Sequence, residues 1–239
     1  MDFKARRYDA MKFDTSLAKI WLHCCEEWYG VTCQFALMLR EDPAPRIGKF
    51  RLIDVISQQL VLLDGLVESS YIALSYVWGR TNSFLTTRAK LATPSEPGGL
   101  NLVIEAIPKT IRDAITLTQE LGICYLWVDS LCIVQDDKDD KASLIQEMHQ
   151  VYHRSYLTII ASIGDHADFG LPGVRPRTRA CQSVEEIETS FYLGVLLSYR
   201  ELLTESVHSC KKHVSPVERY SSLGTKSSFS AAAQYGERT

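Results

Sequence analysis

At 239 residues, 46% of them hydrophobic and 23% charged, the chain is long enough to bury a substantial core, as one large domain or one domain with an appendage. A net charge of −3, with Lys and Arg scattered along the chain, gives no basic field and excludes nucleic acid and anionic membrane as expected partners. No window approaches the roughly 18 to 20 apolar residues of a membrane span, and the seven cysteines are odd in number and irregularly spaced, so they read as reduced thiols of a cytoplasmic, or nuclear, protein.

The opening stretch MDFKARRYDAMKF is mixed and lacks the apolar core of a secretory signal. Asp14 reads as an N-cap. Leu17, Ile20, Trp21, Cys24 and Trp28 then recur at helical spacing, which predicts an amphipathic helix from Thr15 to Tyr29 closed by Gly30. His23, Cys24, Cys25 and Cys33 have no second short-spaced ligand pair after them, so no zinc site is expected. Glu41 to Gly48 is a turn-rich connector, followed by two short strands, Phe50 to Val55 and Leu60 to Leu63, the second closed by Asp64-Gly65. Tyr71 to Tyr76 predicts a third strand that runs into Val77, Trp78 and Gly79. Arg80 to Ala106 is longer than an ordinary connection, and is either a functional loop or hides a small element around Leu102 to Ile104. Pro108 suits a first helical turn, after which Ile111, Ala114, Ile115, Thr118 and Leu121 line one face up to Gly122.

The apolar run Ile123 to Val128 then predicts a buried strand emptying into Asp129, Ser130, Cys132, Gln135 and a cluster of acids. A second helix is expected from Asp139 or Asp140, with Leu144, Met148, Val151, Tyr152 and Ser155 on its face, and Tyr156 to Ser162 predicts another buried strand. Strands alternating with helices predict an α/β fold with a mainly parallel sheet, helices on its faces, and ligands at the carboxyl ends of the strands. Those ends are Ser75 to Gly79, Asp129 to Gln135 and Ser162 to Asp168. Beyond Cys181 the rhythm is lost. Phe191 to Leu203 suits a helix or a strand, and Val207 to Thr239 predicts a poorly ordered tail. The expected organisation is thus an N-terminal helix and short strands over 1–65, a core over 66–180 and a tail over 181–239.

Several residues at these ends carry possible chemistry. Asp129 is placed to orient a ribose or polarise a catalytic group, or to cap the turn that follows it. Cys132 is a nucleophile or a buried thiol. Gln135 and Asp136 close the motif, and the acids Asp136, Asp137, Asp139 and Asp140 read as a solvated helix N-terminus rather than a cation site. Ser75, Trp78 and Gly79 form the opposite wall, where Trp78 either stacks on a nicotinamide or adenine ring or closes the core. His149 and His153 lack the glutamate of a metalloprotease helix, so no metal is expected there, and no phosphate-binding GxxxxGK[ST], GxGxxG or GxSxG motif is present.

YIALSYVWG at 71–79, IPKTIRDAITLTQELGICYLWVDSLCIVQDD at 107–137, EMHQVYHRSYLTIIAS at 147–162 and GLPGVRPR at 170–177 together resemble the fungal heterokaryon incompatibility (HET) domain. Trp21, Cys25 and Cys33 resemble the short preamble that often precedes it. The resemblance implies a fungal, intracellular protein of non-self recognition and regulated cell death. It also implies a flavodoxin-like sheet related to Toll/interleukin-1 receptor (TIR) domains, some of which cleave NAD while others only assemble signalling complexes. On the enzymatic reading Asp129 and Glu147 would be catalytic, and Ser75, Trp78, Gly79, Cys132, Gln135 and Asp136 would hold NAD as substrate. On the other, the chain works by self-association or with other incompatibility proteins. The sequence departs from the family pattern at Leu144, where an acid is often found, and in having no Trp after Trp127, which also suits a degenerate or truncated copy.

Overall fold

The computed structural model describes residues 12–38, 49–63, 70–80, 83–179, 184–188 and 191–194, with backbone alone at 29–38 and in the last two ranges. Helix α1, Thr15–Met38, begins where Asp14 takes the Leu17 N–H at 3.1 Å, the N-cap read from the sequence. It runs through Gly30 instead of stopping there. A single interior glycine costs only about 1 kcal/mol, too little to end a helix that the residues after it continue. Ala18 is buried, but Ile20, Trp21 and Trp28 are exposed, so only part of the predicted apolar stripe is covered.

Strands β1, Phe50–Asp54, and β2, Gln59–Leu63, pair antiparallel. Their turn is held by Asp54, whose Oδ1 accepts the N–H groups of Ile56 at 2.9 Å and Ser57 at 3.1 Å. Strands β3, Tyr71–Ser75, β4, Tyr125–Trp127, and β5, Leu157–Ile160, pair parallel with β3 in the middle. The five strands form one sheet in the order β2-β1-β4-β3-β5, with β1 antiparallel to β4. The expectation of a mainly parallel sheet therefore holds for β3, β4 and β5 and is corrected at the hairpin: a short turn can join only antiparallel neighbours, so β1 and β2 extend the sheet as a mixed one. β5 lies at the edge with Ile160 exposed, less buried than its apolar sequence predicted.

Helix α4, Lys109–Leu121, carries the chain from β3 to β4 and ends at Gly122 in the left-handed conformation. The return from β4 to β5 uses three pieces: a single turn α5, Asp129–Cys132, then α6, Lys138–Gln146, and α7, Met148–Arg154. The predicted single helix is thus divided at Glu147, and it starts earlier, because Asp137 caps it by accepting the N–H groups of Asp139 and Asp140. Tyr71 and Trp127 share the sheet face under α7, with Tyr71 donating to the Val151 carbonyl at 2.6 Å and Trp127 meeting Tyr152 edge-on. Ile72, Leu74 and Leu126, fully buried, point to the opposite face. The chain crosses from β3 to β4 on one side and back to β5 on the other, which puts a topological switch between β3 and β5.

The long connection after β3 is structured. It contains the short helices α2, Ala92–Ser95, and α3, Gly99–Leu102, and a 3-10 turn, Ile104–Ala106, and it is tied to the β1–β2 turn through Gly98 N–H to Ser57 O at 2.8 Å and Leu100 N–H to Gln58 O at 3.0 Å. The GLPGVR element docks on α4: the buried Asp113 carboxylate accepts the Leu171 N–H at 2.8 Å and Arg175 Nε at 2.9 Å, and Gly170 N–H donates to Thr110 Oγ1 at 3.0 Å. In the C-terminal part, β6, Val184–Glu188, and β7, Phe191–Gly194, pair antiparallel, which selects the strand reading for Phe191–Gly194; the rest of that stretch, the expected tail and the Asp64-Gly65 turn lie outside the described residues.

The acidic run is the helix N-terminus that its sequence predicted, with Asp136 and Asp139 exposed and Asp137 as the cap, but Asp140 departs from that reading. Asp140 is buried and both its oxygens face Arg51 Nη1, at 3.1 and 2.9 Å, while Oδ2 also accepts the Val134 N–H at 3.0 Å. Arg51 lies on β1, 89 residues earlier, so nothing local in the sequence marks the pair. Leaving either charge buried without its partner costs about 3 to 5 kcal/mol. Arg51→Met should therefore lower the unfolding free energy in urea by about that amount, and adding Asp140→Asn to it should restore part of the loss.

Candidate functional site

The three carboxyl ends read from the sequence meet. At the end of β3, Trp78 donates its indole N–H to Asp129 Oδ2 at 2.9 Å, joining it to the end of β4. The loop after β5 closes on the same place, with Ala161 N–H on Ser75 O at 2.9 Å and Ala167 N–H on Trp78 O at 3.2 Å. Gly79 makes this approach possible. Its φ is +66°, and a Cβ there would lie 2.5 Å from the His166 Cβ, so only a residue without a side chain fits the turn and the packing together.

Asp129 is the centre of the cluster. It opens α5, where its Oδ1 accepts the Ser130 N–H at 2.7 Å, and the Tyr76 hydroxyl, which donates to Ser130 Oγ at 2.8 Å, lies against the same carboxyl. Burial pushes the Asp129 carboxyl up from 3.8 to about 6, and the donors Trp78, Ser130 and Tyr76 pull the other way. Burial also raises the Tyr76 hydroxyl well above its ordinary value, with the Asp129 charge adding to it. A carboxyl titrating near 6 can hold or release a proton close to neutral pH, which is the property acid–base and charge-stabilising groups require.

The other candidates divide into neighbours and supports. Gln135 holds the α5 turn, its side-chain amide donating to Asp129 O at 3.0 Å and Ile133 O at 3.2 Å. Asp136 accepts the Arg88 N–H at 2.8 Å, and Arg88 pairs with Asp137 at 3.2 Å, so these acids fasten the strap that follows β3. Thr86 completes that strap, its N–H on Ser130 O and its carbonyl taking the Gln135 N–H at 2.8 Å. Cys132 is wholly buried, its sulfur accepts the Val128 N–H at 3.3 Å, and burial pushes its thiol up to about 12, so it is a protonated core thiol. Glu147 lies at the α6–α7 junction, and among the described residues its side chain makes no hydrogen bond to the Asp129 cluster. Leu144, where the family pattern often has an acid, is packed in the core. Among the described residues no group of three or more His, Cys, Asp or Glu could hold a metal ion, and no helix is long and apolar enough to cross a membrane.

Tyr76, Ser130 and His166 lie within the three ends read from the sequence, which gave them no chemical role, and Arg51, Asp113 and Arg175 were not marked there as supports. Tyr76 and Ser130 were inside the quoted motifs, and Asp113 was legible as a carboxylate next to the apolar face of its helix. The partners of Arg51 and His166 were not legible, because they come from distant segments.

The family described as Heterokaryon incompatibility protein (HET) matches residues 71–218, more than half of the chain, from β3 through all three strand ends. A Neurospora crassa protein, heterokaryon incompatibility protein 6, OR allele, is 29% identical over 97 residues, which cover 38% of this chain and 14% of that protein. The chain thus spans only a small part of the relative's length. No solved structure matches it.

Gly79→Ala should unfold at lower urea than Gly98→Ala: both positions are left-handed, at about 1 kcal/mol each, but at Gly98 a Cβ meets nothing within 4 Å. The raised Asp129 value gives a pH signature of the opposite sign to a salt-bridged carboxylate. Between 3.8 and about 6 the folded protein binds this proton more tightly than the unfolded chain, so ionising Asp129 subtracts stability as pH rises through that window. The melting temperature of the wild type relative to Asp129→Asn should therefore increase on going from about pH 7.5 to about pH 5.

Proposed function

Because the chain belongs to the HET family, we propose that it acts in fungal heterokaryon incompatibility, the non-self recognition that ends in regulated cell death, and that the crevice at Asp129 is its working centre. The observation that carries the reading is the junction of three strand ends on one buried carboxyl, inside the region matched by the family and at the switch of the parallel strands, where open α/β sheets hold ligands. We further propose a TIR-like use of this sheet, with NAD as the ligand. Ser75, Trp78 and Gly79 would form one wall and Asp129 the other. A carboxylate there would stabilise the positive charge that develops on the ribose as the glycosidic bond to nicotinamide breaks.

Exposed Ile20, Trp21 and Trp28 on α1 favour a second reading, a module that works by self-association. Inducible expression in a fungal host separates the two. On the first reading, wild-type protein kills and Asp129→Ala does not, and purified protein releases nicotinamide from NAD above the level of that variant. Release no greater than that of Asp129→Ala would remove the NAD reading. Killing retained by Asp129→Ala but lost in Trp21→Ser/Trp28→Ser, together with concentration-dependent sedimentation, would establish the second.

A further inference from the structure

The charge of Asp129 presents a problem that the fold must solve locally. Its carboxyl is enclosed, and among the described residues no Lys, Arg or His pairs with it: the nearest buried cation, Arg51, is committed to Asp140. Burial alone would leave this group protonated and neutral. The titratable groups packed around this cluster are Tyr76 from the β3 end, Cys132 from α5, Tyr152 from α7 and His166 from the loop after β5. Cys132 and Tyr76 are too weakly acidic to ionise near neutrality, Arg51 acts on Cys132 from its pair with Asp140, and the His166 ring nitrogens face the Asp168 N–H at 3.2 Å and Asp165 Oδ1 at 3.6 Å. What faces the two carboxylate oxygens is a set of neutral donors, the Ser130 N–H at 2.7 Å on Oδ1 and the Trp78 indole N–H at 2.9 Å on Oδ2, with the Tyr76 hydroxyl beside them.

We propose that Trp78 and Tyr76 are positioning residues that hold Asp129 as an oriented carboxylate at neutral pH, so that it enters the reaction as a fixed negative charge rather than as an acid. The role in a reaction rests on the reading of the crevice as the working centre. The N–H bond gives Trp78 a role besides any stacking of its ring face, since it fixes the indole edge on the Asp129 carboxyl. The Tyr76 hydroxyl has one proton, which goes to the buried Ser130 Oγ at 2.8 Å; when it turns to the Asp129 carboxylate, Ser130 can donate to the phenol oxygen in exchange, so Tyr76 is held beside the carboxyl in either setting. Glu147 takes no part in this arrangement.

The test is a pH titration of the full chain by NMR, following the Asp129 carboxyl carbon and the Trp78 indole N–H. The two signals should move together with one midpoint near 6. Tyr76→Phe and Trp78→Phe should each raise the Asp129 midpoint by about one pH unit, the size expected when one donor to a charged group is lost, while Glu147→Gln leaves it in place. Should a variant fail to fold, the wild-type titration decides by itself, because an indole signal that does not follow the Asp129 carboxyl overturns the proposal. An unchanged Asp129 midpoint in folded Tyr76→Phe and Trp78→Phe overturns it as well. Nicotinamide release measured on the same samples keeps the two readings apart. Covarying titrations without release sink the NAD reading alone, whereas wild-type release whose acid limb does not move to higher pH in Tyr76→Phe sinks this one.

Discussion

A buried charge has to be paired, and in this protein the pairing of Arg51 with Asp140 decides how the pieces of the sheet are assembled. Arg51 stands on the antiparallel hairpin, Asp140 in the first turns of α6, and the Asp140 carboxylate also binds the backbone of Val134 just beyond the α5 turn. One contact therefore fixes the hairpin, the motif turn and the return helix relative to one another. The strap adds to this anchorage, Thr86 bonding Ser130 and Gln135 and Arg88 holding Asp136 and Asp137. The cost of desolvating the two ions means the pair adds little net stability over an apolar replacement, and its consequence is specificity of arrangement.

The same economy recurs around the crevice. Gln135, Asp136 and Asp137, which have the residue types of a binding site, spend their polar groups on the protein's own backbone and on Arg88. Asp113 does so with the GLPGVR element, and Gly79 spends its conformational freedom on the approach of His166. Much of what makes the family motif recognisable is thus the machinery that brings three strand ends together. Asp129 differs from these residues because its carboxyl is not matched by a cation, and burial leaves it with a raised proton affinity. A group held in that condition costs stability when ionised, in contrast to Asp140, whose charge is matched by Arg51.

Helix α1 and the hairpin lie ahead of the region the family covers, yet both are built onto it. The segment leading into the helix reaches α4 through Lys12 and Glu120 at 2.6 Å, and its Phe13 N–H reaches Gly173 O at 2.7 Å within the GLPGVR element. The hairpin adds its backbone directly to β4. The hairpin lengthens the sheet on the side away from β5.

The sequence by itself determined the five strands of the main sheet, the helices between them and their order, though not the bounds of α1 or the division of α6 from α7. Apolar periods of 2 and 3.6, the N-cap at Asp14, Pro108 before α4 and Gly122 after it are local signals, and local signals are what a single chain displays. It also determined that three strand ends would carry the polar residues, because alternation of strand and helix implies parallel strands with their ends on one side. Only the tertiary structure decided what those residues do. Whether Asp140 is solvated or paired, whether Cys132 is reactive or inert, and whether Trp78 stacks or donates depend on burial and on partners tens of residues away, such as Arg51 for Asp140 and Asp129 for Trp78. Desolvation and hydrogen bonding act through space, so a residue's charge and role were settled by which segments folded against it.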